Sequence, residues 1–343
     1  MRRPPKLVEL LHLWRTEGIP DLATAPTPPL CTEDLAAQER DAGALFVVNH
    51  SGGKDSQAMM IRLLDWVPRE QLVVVHATLG DVEWPGALEQ AQEQAQNAGV
   101  AFRVAQANKT LLGMVENRYR TDPTVPSWPS AQYRQCTSDL KRGPIAKEIR
   151  AHCVQHGFTR VVSCVGIRAQ ESPRRAKLQV WQHVSKNSTR TRNWFNWLPI
   201  HTHTVHDVAL ALVRAGQEPH PAYLLGNERL SCVFCILSSA NDLRLGALYN
   251  PDLYEQYLEL EKKTGYTAHE SRKALHEITG LTASQAQQAH AALLAQPPRD
   301  LTEGESTNDA SRCLPPALST ELRTQPLENH DYGDHVHDSE LCW

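Results

Sequence analysis

The sequence predicts an α/β protein with a mostly parallel sheet and helices on both of its faces. Continuous apolar runs of strand length recur within residues 44–166 and alternate with segments of helical periodicity. Runs that are apolar throughout are typical of strands buried on both faces, as in parallel sheets. With 343 residues, of which 41% are hydrophobic, the chain is long enough to bury such a core.

Each predicted strand is followed by a helix or by a loop rich in polar residues. The predicted strands cover residues 44–49, 72–77, 100–105 and 160–166. The predicted helices run through Met59 to Leu64 and over residues 83–99, 107–119, 144–156, 205–215, 241–264, 267–278 and 283–295. Thr204 and Asp207 have the spacing of a capping box before one of them.

We divide the chain into four segments by composition. Residues 1–43 form an N-terminal accessory segment with a short amphipathic helix at 7–14, and residues 44–240 form the α/β domain. Residues 241–297 are predicted to be a helical extension. Residues 298–343 are polar and acidic with scattered prolines, which predicts a largely disordered tail.

Charge and hydropathy exclude several classes of protein. The formal net charge of -4 argues against a surface that coats nucleic acid, although local basic patches remain compatible with it. No run approaches the roughly 18 apolar residues of a membrane span. The start of the chain lacks the apolar segment of a secretory signal. We therefore expect a cytoplasmic protein, in which cysteines stay reduced and act as ligands or nucleophiles.

Residues 51–56, SGGKDS, lie directly between the first strand and the next helix. Two glycines let the backbone approach a phosphate, and the amides of the helix N-terminus attract the anion. A lysine adds positive charge, and two serine hydroxyls can donate hydrogen bonds. We therefore expect phosphate groups to be bound by Ser51, Gly52, Gly53, Lys54, Asp55 and Ser56.

This loop resembles the pyrophosphate loop (PP-loop) of ATP pyrophosphatases and phosphoadenosine phosphosulfate (PAPS) reductases. The resemblance implies a Rossmann-like sheet of the adenine nucleotide α-hydrolase type over residues 44–240. It also implies that the protein binds ATP or PAPS, with magnesium, and acts at the α-phosphate or the bound sulfate.

Residues 77–85 follow the second strand and look like the family's Asp-x-Gly-x-x-Glu segment. Thr78 stands where the first aspartate is expected, and nearby Asp81 is a candidate to replace it. Glu83 matches the pattern, so Asp81 and Glu83 are both predicted to contribute to cofactor binding. The alternative is that Glu83 is an ordinary acid at a helix start and Trp84 a packing residue.

Residues 166–172, GIRAQES, follow the fourth strand and are similar to a further family motif. The resemblance implies that Arg168 and Arg175 stabilise charge on the pyrophosphate, and that Glu171 orients Arg168 or a metal. Together with Lys54 these residues form the predicted catalytic group. All three motifs fall at carboxyl ends of strands, where open α/β sheets bind ligands.

Residues 136–144, CTSDLKRGP, carry one cysteine where cluster-bearing sulfonucleotide reductases carry two. Their form is closer to the pyrophosphatase of DNA phosphorothioation systems. The basic side chains of Arg134, Lys141 and Arg142 are expected to lower the pKa of the Cys136 thiol. Residues 231–235, SCVFC, resemble the second cysteine pair of the reductases.

Cys136, Cys232 and Cys235 are therefore the predicted metal ligands, and three thiolates can hold a [4Fe–4S] cluster with one iron open. A zinc ion is the main alternative, with His201, His203 or His206 as its fourth ligand. Absence of a metal is the third alternative. Cys153 and Cys164 are expected to be core residues. Cys342 is an alternative nucleophile by analogy with the tail cysteine of other PAPS reductases.

The favoured function is cleavage of ATP to AMP and pyrophosphate, which activates DNA or tRNA for iron–sulfur-assisted sulfur transfer. A sulfur donor such as a cysteine desulfurase is then an implied partner. Seven basic residues in 168–192, with Trp181, Trp194 and Trp197 in or after that stretch, are compatible with nucleic-acid contact. The same tryptophans can instead belong to the core. The alternative functions are reduction of PAPS or adenylyl sulfate to sulfite, and nucleotide binding without turnover.

Overall fold

The computed structural model describes residues 26–295 together with Leu7, Leu10 and Leu11. Six strands form one sheet in the order β3-β2-β1-β4-β6-β5, in which all neighbouring pairs are parallel except β5 and β6. The predicted α/β class is confirmed. The strands are β1 Leu45–Asn49, β2 Leu72–Thr78, β3 Ala101–Gln106, β4 Arg160–Val165, β5 Trp181–His183 and β6 Asn193–Trp197.

The sequence does not predict the two strands at the β5 edge of the sheet. β5 has only three residues, and β6 mixes asparagine with aromatic residues instead of forming an aliphatic run. Trp194 and Trp197 of β6 are buried on opposite sides of the sheet, in two different core clusters. They belong to the core, so they are not available to stack nucleic-acid bases.

The helices cover both faces of the sheet and continue beyond it. Their bounds are α1 Glu33–Asp41, α2 Lys54–Leu64, α3 Ala87–Asn97, α4 Leu111–Thr121, α5 Gly143–His156, α6 Val205–Arg214, α7 Ala240–Tyr249, α8 Pro251–Thr264 and α9 Ala283–Leu294. The predicted capping box of α6 is present, with Thr204 Oγ1 accepting from the Asp207 amide at 3.2 Å.

Two helix predictions in the C-terminal part are wrong in detail. The predicted helix 241–264 is two helices, because Pro251 cannot donate the hydrogen bond that would continue α7. It occupies the first turn of α8 instead, where a missing N–H costs nothing. Within 267–278 only the end is helical, in a short helix at Leu275–Thr279.

Three buried clusters organise the protein around the sheet. One face packs Met59 and Leu63 of α2 against β1, β2 and β4. The other face packs Ile145 and Ile149 of α5 against the opposite side chains of the same strands. A smaller, separate cluster packs Leu7, Leu10 and Leu11 beside α6.

The third cluster joins the C-terminal helices to the segment that carries the paired cysteines. Val233 and Phe234, with Cys232, pack against α7 and α8. Gly246 permits this approach, since a Cβ there would lie 2.9 Å from Val233 Cγ1. The helical extension therefore fixes the position of the cysteine pair. The predicted tail and Cys342 lie outside the described residues.

Hydropathy of the helices bears on membrane insertion. Across the residues that the structure describes, no helix combines the length and apolar character needed to cross a membrane.

Candidate nucleotide and cysteine site

The SGGKDS loop forms a tight connection between β1 and the first turn of α2. Gly52 has φ of +76°, and a Cβ at this position would lie 2.6 Å from the carbonyl oxygen of Ala87. The Ser56 hydroxyl accepts from the Ser51 amide at 3.2 Å and donates to the Gly53 carbonyl at 2.8 Å. The loop is thus closed by its own serine, and the Ser56 hydroxyl supports the turn.

A pocket of about 1020 Å³, including its open mouth, lies at the carboxyl ends of β1, β2 and β4. Its walls bring together the PP-loop, the segment after β2, the segment after β4 and residues 229–231. Its polar lining comes from Asn49, His50, Ser51, Lys54, Asp55, Ser56, Glu83, Lys141, Glu171, Arg175, Tyr223, Arg229 and Ser231. The prediction that the three motifs meet at one edge of the sheet is confirmed.

Asp55 is the centre of a charged group beneath the loop. Lys54 Nζ lies 3.0 Å from Asp55 Oδ2, and Arg168 Nε lies 2.6 Å from Asp55 Oδ1. Burial disfavours the charged forms of all three groups, but the two cations outweigh burial and hold the pKa of Asp55 at about 2. Likewise Asp55 raises the pKa of Lys54 although burial opposes it.

The structure corrects the role predicted for Arg168. Its side chain is 4% exposed and is not part of the pocket lining. Its Nη1 donates to Gln170 Oε1 at 2.9 Å, while its Nε holds Asp55. The backbone explains this direction, because β4 ends so close to α2 that a Cβ on Gly166 would lie 2.9 Å from the Asp55 carbonyl oxygen. Arg168 therefore stabilises the PP-loop through Asp55, on the side of the loop away from the pocket.

We expect the ion pairs of Asp55 to make stability depend on pH. Its pKa is lower in the folded protein than its ordinary 3.8, so the stabilisation is complete above about pH 4 and is lost as pH falls through about 2. The expected contribution is about 2 kcal/mol, from 1.36 kcal/mol per pKa unit.

Denaturant unfolding measured from pH 5 to pH 2 tests this prediction. The free energy of unfolding of Asp55→Asn should fall less steeply with acid than that of the wild type. Equal slopes for the two proteins would show that Asp55 titrates at its ordinary pKa.

Glu171 and Arg175 form a second charged pair on the pocket wall. Glu171 Oε2 accepts from the backbone amide of Arg168 at 2.8 Å, and its Oε1 is paired with Arg175 Nη1. Glu171 therefore orients the loop of Arg168 and the guanidinium of Arg175. Both side chains line the pocket, which leaves Arg175 as the arginine of this motif that can reach a bound phosphate.

Thr78 stands where the family pattern has an aspartate, and its side chain holds the carboxylate of Glu83. Its hydroxyl donates to Glu83 Oε2 at 3.0 Å and accepts from the Gly80 amide at 3.2 Å. His76 Nε2 lies 3.4 Å from Glu83 Oε1. Burial raises the pKa of Glu83, but His76, the Leu79 amide and Lys141 together bring it below its usual value. Asp81 is exposed and outside the pocket lining, so the structure does not bring it together with the other predicted site residues.

Sequence reasoning missed several polar residues of the pocket. Asn49 Nδ2 donates to the Cys164 carbonyl at 2.8 Å, and His50 Nδ1 accepts from the Gly52 amide at 3.1 Å. Tyr223 Oη accepts from the Lys54 amide at 3.2 Å. Asn49 and His50 end an otherwise apolar run next to the loop, which was the available signal. Nothing local marks Tyr223, because its contact spans 169 residues.

The cysteine pair reaches the pocket through a short backbone pairing with the segment after β2. Cys232 and Glu83 form an antiparallel bridge, and the Val233 amide donates to the Val82 carbonyl at 2.9 Å. Cys136 lies in the helical turn Gln135–Thr137, which continues into a π-helical turn at Ser138–Arg142. That turn carries Lys141, which lines the pocket and acts electrostatically on all three cysteines.

Burial decides the ionisation of these thiols. It raises the pKa of Cys232 to about 12, although Lys141 opposes the rise. It also raises the pKa of Cys136, with Cys235 adding to burial and Lys141 and Arg134 opposing it. The prediction that basic neighbours leave Cys136 with a lowered pKa is therefore wrong, because desolvation is larger than the attraction. Such thiols are poor nucleophiles unless a cation takes the place of their protons.

The three predicted cysteines converge, but they are not arranged around a single ion. Cys235 acts electrostatically on Cys136, and both Cys235 and Cys136 act on Cys232. Yet within residues 26–295 no three His, Cys, Asp or Glu side chains are grouped to hold one metal ion. Zinc bonds of about 2.3 Å require thiolates about 3.8 Å apart, whereas a four-iron cluster spaces its thiolates more widely. Three cysteine sulfurs are the type of donor that iron–sulfur clusters use.

The other candidate ligands lie elsewhere. His201 Nε2 contacts the Arg175 carbonyl at 2.8 Å, and His203 is buried near Arg168. His206 is exposed on the first turn of α6. None of these three histidines is therefore placed beside the cysteines as a zinc ligand. Cys153 and Cys164 are buried in the cores on the two faces of the sheet, as predicted.

A glycine-rich loop at the carboxyl end of β1, a closed charged group beneath it and a pocket in front define a PP-loop nucleotide-binding α/β protein. The phosphoadenosine phosphosulfate reductase domain model matches residues 46–238, more than half of the 343 residues. The chain therefore belongs to the PAPS reductase domain family.

The curated relative that matches is an uncharacterized 37.8 kDa protein in the gpa 5' region of Escherichia phage 186. It is 32% identical over 116 residues, which are 34% of this chain and 34% of the relative. The matched region thus spans about a third of the length of that relative.

Solved structures with a similar fold include three enzymes at low sequence identity. PAPS reductase from Candida auris, a phosphate complex, has a TM-score of 0.36 and 10% identity, over 66% of this chain and 88% of its own. FMN adenylyltransferase from Candida glabrata, in complex with FAD and pyrophosphate, has a TM-score of 0.36 and 13% identity, over 66% of this chain and 72% of its own. The U34-tRNA thiolase NcsA from Methanococcus maripaludis, with its [4Fe–4S] cluster, has a TM-score of 0.34 and 11% identity, over 80% of this chain and 92% of its own.

Proposed function

We propose that this protein cleaves ATP to AMP and pyrophosphate, and so activates an acceptor that receives sulfur at the adjoining cysteine site. One observation carries the proposal. The pocket of the PP-loop adjoins the cysteine site, because Lys141 and Ser231 line the pocket, Ser231 directly precedes Cys232, and Lys141 interacts electrostatically with Cys136, Cys232 and Cys235. A nucleotide in the pocket would lie beside the thiols.

The residues of the loop hold the phosphates in this proposal. The amides of the loop and of the first turn of α2 face the anion, and Lys54 supplies a positive charge that Asp55 keeps in place. Arg175 stabilises the charge that develops on the pyrophosphate leaving group. The pocket carboxylates Asp55 and Glu171 are each paired with a cation. Glu83 also lines the pocket, so it is the carboxylate that we propose to face magnesium carried by the nucleotide phosphates.

Cys136, Cys232 and Cys235 would hold a [4Fe–4S] cluster. When bound, such a cluster supplies an open iron at which a sulfur atom can be carried to the activated acceptor. Burial keeps Cys136 and Cys232 protonated without a metal, which suits ligands better than free redox thiols. Lys141 balances the negative charge of the thiolates and faces Glu83 on its pocket side.

We further propose that the acceptor is a nucleic acid, DNA or tRNA. Three exposed basic residues lie next to β5 and β6 in the chain. Lys177 precedes β5, and Lys186 and Arg190 lie between the two strands. Basic side chains in this position can follow a phosphate backbone. A cysteine desulfurase is the corresponding class of sulfur donor.

Product analysis tests the proposed reaction. The protein is purified without oxygen and incubated with ATP and magnesium, and AMP and pyrophosphate are quantified with and without tRNA or DNA. We expect pyrophosphate release in the wild type and a loss of roughly 100-fold or more in Lys54→Met, since one preorganised charge is worth about 10²–10³ in rate.

Lys147→Met is the matched control, because Lys147 is exposed on α5 and should leave the rate unchanged. Release of sulfite from PAPS without ATP cleavage would replace the proposal with sulfonucleotide reduction. Binding of ATP with no product under any condition would indicate a nucleotide-binding subunit.

A further inference from the structure

Two buried hydrogen-bond donors beside the cysteine site have no acceptor among the described residues. They are the hydroxyl of Tyr257 and the indole N–H of Trp128. Tyr257 is 1% exposed and Trp128 is 4% exposed, so bulk water does not reach either group. Buried polar groups of native proteins nearly always have a partner, and an orphaned donor therefore points to a missing acceptor.

The position of Tyr257 indicates what that acceptor is. Its ring packs on Phe234 with centroids 5.0 Å apart, and Phe234 lies between the two cysteines of the C-x-x-C pair. Trp128 packs on the other side, with centroids 5.3 Å apart. Burial first, and then the charges of Cys232, Cys235 and Cys136, raise the pKa of Tyr257 well above its usual value. The phenol thus shares an apolar enclosure with all three thiols.

Tyr254 shows what a satisfied tyrosine looks like in the same helix. It also packs on Phe234, with centroids 5.5 Å apart, and is fully buried. Its hydroxyl, however, bonds to Thr279 Oγ1 at 2.6 Å and to the Leu281 carbonyl at 2.8 Å. The missing partner is therefore specific to Tyr257, although both tyrosines pack on the same Phe234.

We infer that the Tyr257 hydroxyl donates a hydrogen bond to a sulfur atom held by Cys136, Cys232 and Cys235, and so tunes the group that those cysteines bind. This inference rests on the proposed function, in which that group is an iron–sulfur cluster. Tyr257 belongs to α8, beyond residues 46–238 that match the family model. The helical extension then contributes to the chemistry of the site as well as to its packing.

The reduction potential of the loaded protein tests the inference in Tyr257→Phe, with Tyr254→Phe as the matched control. Hydrogen bonds to cluster sulfurs are among the factors that set the potential. We expect Tyr257→Phe to keep its iron and sulfide and to shift to a more negative potential. Tyr254→Phe should leave the potential unchanged.

Thermal unfolding gives a second readout that a packing role would not produce. Without iron, Tyr257→Phe should unfold at the same temperature as wild type or higher, because it loses an unsatisfied buried hydroxyl. With iron, its unfolding temperature should rise less than that of wild type. Tyr254→Phe should be destabilised in both states, since it loses satisfied hydrogen bonds.

The outcomes separate this inference from the function on which it rests. Wild type that holds iron and sulfide, with an unchanged potential in Tyr257→Phe, would overturn the role of Tyr257 and leave the cluster standing. Wild type that takes up no iron and sulfide would overturn both.

Discussion

Gly52→Ala should reduce affinity for ATP by roughly tenfold or more, which corresponds to about 1.4 kcal/mol of binding free energy. The added Cβ would lie 2.6 Å from the Ala87 carbonyl oxygen and 2.9 Å from its Cα, and both are backbone atoms that cannot rotate away. The loop or the start of α3 must therefore move. Since the loop amides bind the phosphates in our proposal, that movement removes their alignment. Calorimetric titration with ATP measures the change.

Gly43→Ala is the matched control for Gly52→Ala. Gly43 has the same φ of +76°, but an added Cβ there meets nothing within 4 Å. It should cost only the left-handed backbone strain of about 1–2 kcal/mol in unfolding free energy and leave ATP affinity unchanged. Equal ATP affinities in the two variants would show that the contact with Ala87 does not shape the binding site.

Cys136→Ala, Cys232→Ala and Cys235→Ala should each lose nearly all bound iron and sulfide. Wild type purified without oxygen should contain about four iron and four sulfide per chain. Removing one of three thiolates leaves two, and alanine supplies no donor in its place. Iron, acid-labile sulfide and zinc are measured on all proteins, together with the absorption spectrum.

Cys153→Ala is the control for the cysteine variants, since Cys153 is buried in the core on the α5 face of the sheet. It should lose stability but keep iron and sulfide. Retention of the cluster in Cys136→Ala would exclude Cys136 as a ligand. One zinc per chain in the wild type would replace the cluster with a structural metal.

The local elements of the site could be predicted because their signals are local. A phosphate loop needs glycines, a lysine and a following helix within a few residues, and SGGKDS contains all of them. Buried strands are recognised as apolar runs, as β1, β2 and β4 were, and the partly exposed strand β3 was predicted as well. The strands β5 and β6 were missed because β6 mixes asparagine with aromatic residues and β5 is only three residues long.

The direction in which a side chain points could not be predicted from its motif. Arg168 and Arg175 share one motif, yet only Arg175 lines the pocket. The difference arises because β4 approaches α2 closely at Gly166, which places Arg168 against Asp55. Asp81 and Glu83 likewise belong to one motif but differ in where they lie. The backbone of Glu83 pairs with Cys232, whereas Asp81 faces solvent.

The sequence by itself determined the α/β class and the position of the glycine-rich loop, and it selected the three cysteines that we propose as ligands. Each of these follows from residue types at short spacing, which is where backbone geometry and hydrophobic periodicity act. Only the tertiary structure decided that Arg168 supports the loop, that the tryptophans of β6 are core and that burial keeps Cys136 and Cys232 protonated. Those outcomes depend on desolvation and on contacts between distant segments, as when Tyr257 of α8 packs on Phe234.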